Sequence, residues 1–155
     1  MTDGVTANLS GNRAEKTIAC MLKERGYSFK RQIDLGLNIY GHKSRGDFIV
    51  YDIPEYPHGL IIESKWQASS GSVDEKYPYM VANIKATYPY PTVIVVSGGG
   101  YKSGALTWLK QQVDGKKLIH VFSLEEFLSW MNRELSDPQF NQPELSNFIK
   151  MEALP

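Results

Sequence analysis

Two short segments on either side of a proline-containing turn constrain the fold of this chain more than any other feature. The segments are Asp47 to Asp52 (DFIVYD) and Gly59 to Lys65 (GLIIESK). Side chains on a strand alternate between its two faces, and both segments carry apolar residues on both faces. Strands that are apolar on both faces have to be covered on both faces. The pair therefore predicts a central β-hairpin between layers of helix, which is an α/β architecture.

Residues before the hairpin predict a helix and a strand. Apolar positions with helical spacing predict a first helix from Asn12 to Arg25, with Asn12 as its N-cap and Gly26 as its stop. A strand is predicted from Tyr27 to Ile33. The stretch from Leu35 to Ser44 is predicted to be a loop, because it contains two glycines.

Helices and strands are predicted to alternate after the hairpin. Ser72 and Glu75 have the spacing of a capping box, and the regular helix is expected to begin near Pro78, which is tolerated only in a first turn. The helical spacing of Tyr77, Val81, Ile84 and Tyr88 predicts that this helix extends to Tyr88. The later predicted features are the strand Thr92 to Ser97, a helix carrying Ala105, Leu109 and Val113, the strand Leu118 to Phe122, and a last helix capped by Ser123 and Glu126. The predicted order is αβββαβαβα.

Composition limits the class of protein. The 155 residues fit one domain, residues 1–155, of which residues 137–155 lack a clear period and are predicted to be a surface-packed tail. The single Cys excludes an internal disulfide, and no Cys/His ladder suits structural zinc. The sequence has neither a signal-peptide pattern nor a run of about 18 apolar residues. We therefore expect a soluble, cytoplasmic protein with no membrane partner.

Charge is balanced overall but uneven along the chain. There are 17 Lys and Arg against 17 Asp and Glu. Residues 10–45 hold eight basic and three acidic side chains, whereas residues 123–155 hold two basic and six acidic ones. This asymmetry is compatible with a basic face that binds a polyanion, and equally with an ordinary solvated surface.

The hairpin also predicts which side chains meet. A turn centred on Glu55 pairs position n with position 110 − n, which sets Asp47 opposite Glu63. Opposed side chains on antiparallel strands have Cβ atoms about 5 Å apart, and like charges there destabilise the sheet. Lys65 lies on the same face as Glu63, because strand side chains alternate. Two carboxylates so close together need a cation.

This set of groups suits metal-assisted hydrolysis of a phosphodiester. Carboxylate oxygens are suitable ligands for Mg²⁺, and Mn²⁺ can substitute. A bound metal lowers the pKa of its water, and Lys65 can orient or deprotonate the attacking water. The alternative is that Asp47, Glu63 and Lys65 form a charge cluster that serves stability only, within a domain that binds protein.

These residues resemble the motif of the PD-(D/E)XK nuclease superfamily, which has the restriction-endonuclease-like fold. The motif reads Gly46-Asp47 on one strand and Glu63-Ser64-Lys65 on the next, with Gly46 where the family pattern has Pro. The order of elements resembles the family's αβββαβ core over roughly residues 11 to 100. The stretch from Gly59 to Lys85 is similar to compact bacterial and phage-type members. The resemblance implies a central mixed sheet flanked by helices, with a C-terminal strand and helices added, and a bacterial or phage-infected cell.

The resemblance implies roles for further residues. Asp47, Glu63 and the backbone carbonyl of Ser64 would bind metal, and Lys65 would activate water. Glu15 would bind metal directly or through water; alternatively it is a capping carboxylate for Asn12. Gln67 would hold the water or a phosphate; alternatively it is a polar strand end.

Several further side chains are candidates for DNA binding. Lys76 and Ser72 precede a helix, whose positive dipole end suits a phosphate, although Ser72 also fits plain capping. Tyr101 and Lys102 follow a glycine triplet and offer a stacking ring and a cation, although an ordinary strand-to-helix turn explains the triplet better. The candidates for contact with the DNA backbone are Arg13, Lys16, Lys43 and Arg45.

The sequence thus favours a Mg²⁺-dependent DNA endonuclease. The resemblance implies products with 5′-phosphate and 3′-hydroxyl ends, and a homodimer is expected if both strands are cut. One alternative is a structure-selective resolvase or nickase on branched DNA. Another is a non-catalytic module that binds nucleic acid without metal.

Overall fold

A computed structural model describes residues 2–66, 74–99 and 103–136, and it describes side chains within residues 12–66, 75–99 and 104–132. In this part of the chain, five strands form one sheet in the order β1-β2-β3-β4-β5. The strands are β1 (Phe29–Leu37), β2 (Lys43–Val50), β3 (Leu60–Trp66), β4 (Thr92–Ser97) and β5 (Leu118–Ser123). The helices are α1 (Thr2–Glu24), α2 (Tyr77–Thr87), α3 (Ser103–Gln111) and α4 (Leu124–Ser136).

The sheet is mixed. Strands β1, β2 and β3 are antiparallel neighbours, whereas β3, β4 and β5 run parallel. The parallel strands are joined by helical crossovers, as parallel pairing requires. The observed order of elements is the predicted αβββαβαβα, and the predicted α/β class is confirmed.

Two apolar cores lie on opposite faces of the sheet. Ile62 of β3 belongs to one core with side chains of α1 and α4, such as Ile18 and Phe127. Ile61 of the same strand belongs to the other core with side chains of α2 and α3, such as Leu109. Strand β4 alternates in the same way and is buried along its whole length. The prediction that the hairpin is covered on both faces is therefore confirmed.

The last helix begins as the capping box predicts. The Ser123 N–H donates to Glu126 Oε1 at 2.8 Å, and the Glu126 N–H donates to Ser123 Oγ at 3.1 Å. This reciprocal pair satisfies two donors at the helix start. The serine is the last residue of β5, so the box joins strand to helix without a loop.

The predicted start of the first helix is wrong. Helix α1 begins at Thr2, ten residues before the predicted cap, so Asn12 lies inside the helix. No proline interrupts residues 2–11, and glycine within a helix costs only about 1 kcal/mol. The C-terminal prediction is confirmed, since Gly26 has the positive φ of 78° typical of a helix stop.

The predicted capping box of the second helix depends on Ser72, which lies outside the described residues. Helix α2 follows a single 3-10 turn (Asp74–Lys76), its N-cap is Lys76, and no side chain caps it. Pro78 lies in the first turn, as predicted, and proline brings no N–H that needs a partner there. Tyr88, predicted on the helix, is instead its extended C-cap.

Two other observed element boundaries differ from the predicted ones. Half of the predicted loop from Leu35 to Ser44 is strand, because a register shift after Asp34 lets β1 continue past Gly36, which has φ 82°, and β2 begins at Lys43. Val113, predicted on the third helix, lies beyond α3 and is exposed. None of the described helices is both long and apolar enough to cross a membrane. The predicted tail lies outside the described residues.

Candidate active site

The hairpin register places the acidic pair as predicted. Strands β2 and β3 pair Phe48 with Ile62, Ile49 with Ile61 and Val50 with Leu60, which follows the 110 − n rule. Backbone pairing between the two strands stops at Phe48. Beyond that point, β2 stays paired to β1 and β3 stays paired to β4. The central strands therefore part where Asp47 and Glu63 lie.

The two carboxylates accept hydrogen bonds where the backbone pairing between β2 and β3 has stopped. The backbone N–H of Asp47 donates to Glu63 Oε1 at 3.1 Å. The backbone N–H of Ser64 donates to Asp47 Oδ2 at 2.7 Å. Each acidic side chain is thus held by the backbone of the opposite strand. The reciprocal bonds hold both carboxylates in fixed positions at the point where the strands separate.

Glu63 is buried next to a second negative charge, which changes its pKa. It is 4% exposed. Burial, and next the negative charge of Asp47, raise the pKa of Glu63 to about 7. Lys65 Nζ lies 3.8 Å from Glu63 Oε2 and partly offsets this effect. One partly exposed lysine does not compensate for two adjacent carboxylates.

Tyr88 is a partner of Glu63 that the sequence reasoning missed. Its side chain forms a hydrogen bond with the Glu63 carboxylate. Burial, followed by the charge of Glu63, raises the pKa of Tyr88 far above its ordinary value. The phenol therefore remains a neutral donor. The helical spacing of the sequence predicts Tyr88 only as an apolar helix position.

Helix α1 brings Glu15 towards the same site. Burial, and next the charge of Asp47, raise the pKa of Glu15, whereas Arg31 lowers it. Arg31 lies on β1, and its guanidinium is 3.5 Å from Glu15 Oε1. This ion pair was also missed, because the sequence did not predict how β1 pairs with β2. Among the described residues, no three His, Cys, Asp or Glu side chains are close enough to hold an ion together.

The donor chemistry of the site fits a divalent metal. Asp47 and Glu63 offer hard oxygen ligands, and their mutual repulsion in a buried position is what a cation would relieve. The carbonyl of Ser64 is the third candidate ligand. Glu15, held by Arg31, is set back from the pair and suits an indirect role through water.

Gly46 stands where the family motif has Pro, and the packing around it accounts for this difference. A Cβ at this position would lie 3.0 Å from Leu35 Cδ1 and 3.3 Å from Glu63 Oε1. Both distances are tighter than ordinary contacts between a Cβ and its neighbours. A larger residue would therefore press directly on the Glu63 carboxylate. The glycine leaves room for the acidic pair in this particular packing.

A cavity of about 240 Å³ opens beside the acidic pair. Three cationic side chains, Arg45, Lys65 and Lys76, line it together with Glu63. The other lining residues are Asn38, Ser44, Tyr77, Tyr79, Met80, Asn83 and Tyr88. The cavity therefore combines a carboxylate with several cations. This combination suits a substrate phosphate that would bind next to a metal ion.

The other predicted DNA contacts are more dispersed. Lys43 is exposed at the start of β2, next to Ser44, which lines the cavity. Arg13 and Lys16 are exposed on α1, and Lys16 lines a separate groove between α1 and α4. The remaining predicted site residues, which lie outside the described side chains, are Gln67, Ser72, Tyr101 and Lys102.

The fold is a mixed sheet between helices. It presents two carboxylates and a lysine where its central strands part, which is the arrangement expected of a nuclease. The chain matches the family model of the PD-(D/E)XK nuclease superfamily domain over residues 6–135. It belongs to that superfamily. This confirms the resemblance to a superfamily of nucleases whose members typically use divalent metals.

Other comparisons add little. A crystal structure of a protein of unknown function, AF1548, is similar at 16% sequence identity with a TM-score of 0.42. The match covers 70% of this chain and 56% of that one. A similarity of this size carries no argument about function. No curated protein matches the chain.

Proposed function

We propose that this chain is a Mg²⁺-dependent DNA endonuclease that leaves 5′-phosphate and 3′-hydroxyl ends. The observation that carries the proposal is the reciprocal bonding of Asp47 and Glu63 across β2 and β3, with Lys65 beside them. Hydrolysis of a phosphodiester needs a place for a cation and a group that acts on water. The site offers both at the mouth of one cavity.

In this proposal Asp47, Glu63 and the Ser64 carbonyl would hold the metal. When bound, a divalent ion lowers the pKa of a coordinated water and neutralises charge on the phosphate. The backbone N–H groups of Asp47 and Ser64 keep the two carboxylates oriented before substrate arrives. Tyr88 donates to Glu63 and stabilises its charged form. Preorganisation of this kind avoids a cost at the moment of reaction.

Lys65 is the group proposed to act on water. Its Nζ lies next to Glu63 and lines the cavity, so it can reach both the attacking water and a substrate phosphate. A lysine in this position orients the water or accepts its proton, and its charge balances that of the phosphate. Glu15 supports the site through water, and Gln67 is proposed to hold the water or a phosphate.

Backbone contacts position the DNA. Arg45 and Lys76 line the cavity, and Lys76 stands at the positive end of the α2 dipole. The further contacts proposed from the sequence are Arg13, Lys16, Lys43, Ser72, Tyr101 and Lys102. The single domain, the homodimer for cutting both strands and the cytoplasmic location also belong to this proposal.

Cleavage assays test the proposal. Purified protein is incubated with supercoiled and linear duplex DNA in Mg²⁺, Mn²⁺ or EDTA, alongside Lys65→Ala and Asp47→Asn. We expect metal-dependent cleavage that is lost in EDTA and falls by at least about 100-fold in both variants. Lys116→Ala is the matched control, because Lys116 is exposed before the start of β5, at the other end of the parallel strands.

The non-catalytic alternative predicts a different pattern. There, DNA is retained without metal, binding falls steeply with salt, and no metal gives cleavage. Undiminished cleavage in both Lys65→Ala and Asp47→Asn would contradict the proposed roles of these residues. The ratio of nicked to linear product separates cutting of one strand from cutting of both.

A further inference from the structure

Exposed apolar side chains are concentrated at one place next to the cavity. Six large hydrophobic side chains are exposed in the described part of the chain, and four of them lie at the β1–β2 turn or on the facing turn of α2. They are Leu37 (59% exposed), Ile39 (41%), Tyr40 (68%) and Tyr79 (36%). A contiguous exposed apolar patch indicates a binding surface.

Two of these side chains form an aromatic stack. The rings of Tyr40 and Tyr79 have centroids 5.2 Å apart and an interplanar angle of 24°. One face of Tyr40 is thus backed by another ring, and most of its surface remains open. A supported ring of this kind presents a flat π-surface of the size of a nucleobase.

The turn that carries Tyr40 is held in place. Asn38 Oδ1 accepts from the N–H groups of Tyr40 and His42 at 2.9 and 3.0 Å. Asn38 Nδ2 donates to the Tyr79 hydroxyl at 2.9 Å, which ties the turn to α2. The Ile39 N–H donates to Oδ1 of the buried Asn83 at 2.8 Å. A ring fixed in this way loses little entropy when it binds a ligand.

The aromatic stack is continuous with the candidate active site. Tyr79 and Asn38 line the same cavity as Glu63 and Lys65. Arg45 and Lys76 line this cavity and can provide positive charge for the phosphate of a nucleotide whose base reaches the ring. The combination of an open ring with nearby cations is complementary to a single strand of nucleic acid. Bases inside a duplex are stacked on each other and do not offer a free face.

We propose that Tyr40, supported by Tyr79, stacks on an unpaired base of the DNA strand that enters the active site. This directs the enzyme to DNA that is single-stranded or branched next to the cleaved bond. The preference for cleavage rests on the proposed function. The binding part can be tested separately.

Binding is measured in EDTA, so that no strand is cut. A labelled single-stranded oligodeoxynucleotide and the blunt duplex of the same sequence are titrated with wild type, Tyr40→Ala, Tyr40→Leu and Tyr40→Phe, followed by fluorescence anisotropy. Tyr40→Ala and Tyr40→Leu are expected to weaken single-strand binding about tenfold and to leave duplex binding unchanged. Tyr40→Phe keeps the ring and is expected to keep the affinity.

Trp108→Ala is the matched control, because Trp108 is an exposed aromatic residue on α3. It is expected to change neither affinity. Thermal unfolding of each variant shows whether the fold is retained, and Tyr40→Leu preserves apolar bulk in case Tyr40→Ala does not fold.

Three results would overturn the stacking proposal. Equal loss of single-strand and duplex affinity would make Tyr40 a general contact. Unchanged affinity for both in Tyr40→Ala would show that Tyr40 does not stack on a base. Absence of single-strand binding by the wild type would show that the ring does not bind an unpaired base. A selective loss in Tyr40→Ala, with no cleavage by the wild type under any metal, would retain the stacking site and overturn the proposed nuclease function.

Discussion

At the scale of single residues, the acidic pair conflicts with the stability of the fold. Glu63 is buried next to Asp47 on the central hairpin, where like charges are unfavourable. Hydrogen bonds from the Asp47 backbone and from Tyr88 reduce this cost without removing it. Carboxylates that are costly without a cation are typical of a site that functions by binding one.

The conflict predicts that Glu63→Gln stabilises the metal-free protein. Gln retains an oxygen that accepts from the Asp47 N–H and removes the buried charge. The pKa of Glu63 is about 7 in the folded protein, against an ordinary 4.5, so the folded state binds more protons. The free energy of unfolding of the wild type therefore falls as the pH rises from about 4.5 to about 7.

Urea unfolding in EDTA at pH 5 and pH 8 checks this prediction. The variant is expected to exceed the wild type by about 1–3 kcal/mol at pH 8 and by little at pH 5, and to lose cleavage. Glu55→Gln, at the exposed turn of the hairpin, is the control and should behave like the wild type at both pH values. An equal stability of Glu63→Gln and wild type at pH 8 would contradict the argument.

At the scale of elements, different local signals mark where the helices begin. The box of Ser123 and Glu126 does so for α4, and its hydrogen bonds lower the pKa of Glu126. Helix α2 begins without any side-chain cap, with proline in its first turn. The capping box therefore marks the start of α4, whereas the proline marks the start of α2.

The box makes Ser123→Ala a test at this scale. Loss of the Oγ acceptor leaves the Glu126 N–H without its partner and is expected to lower the free energy of unfolding by about 1 kcal/mol. Urea unfolding at neutral pH measures the change. Ser129→Ala, at an exposed position within α4, should have less than half this effect. Equal effects of the two substitutions would show that the box does not stabilise α4.

At the scale of the whole molecule, a chain with no net charge presents cations where a phosphate substrate would lie. Arg45, Lys65 and Lys76 share one cavity, although the chain has 17 Lys and Arg against 17 Asp and Glu. The folding of β2, β3 and α2 around one cavity brings these cations together. Local charge rather than net charge is therefore expected to govern affinity for DNA.

Salt dependence tests this distribution. Each phosphate contact contributes about one unit to the slope of log Kd against log salt concentration. We expect Arg45→Ala and Lys76→Ala each to weaken binding of duplex DNA in EDTA and to reduce the slope by about one. Fluorescence anisotropy over a range of salt concentrations measures both quantities. Lys116→Ala should leave the slope unchanged, and a slope that is also unchanged in Arg45→Ala and Lys76→Ala would contradict the prediction.

The sequence by itself determined the order of the elements, the coverage of the hairpin on both faces and the opposition of Asp47 and Glu63. These features depend on short-range properties: alternation along a strand, helical spacing and the length of one turn. The bounds of β4 and the pairing rule of β2 and β3 agree with the structure for that reason.

Only the tertiary structure decided the partners that come from distant parts of the chain. Arg31 on β1 pairs with Glu15 on α1, and Tyr88 at the end of α2 bonds to Glu63 on β3. Asn38 and Tyr79 are 41 residues apart and meet through a turn that the sequence predicted only as part of a loop. Such contacts depend on how whole elements pack against each other, and no local periodicity encodes that packing.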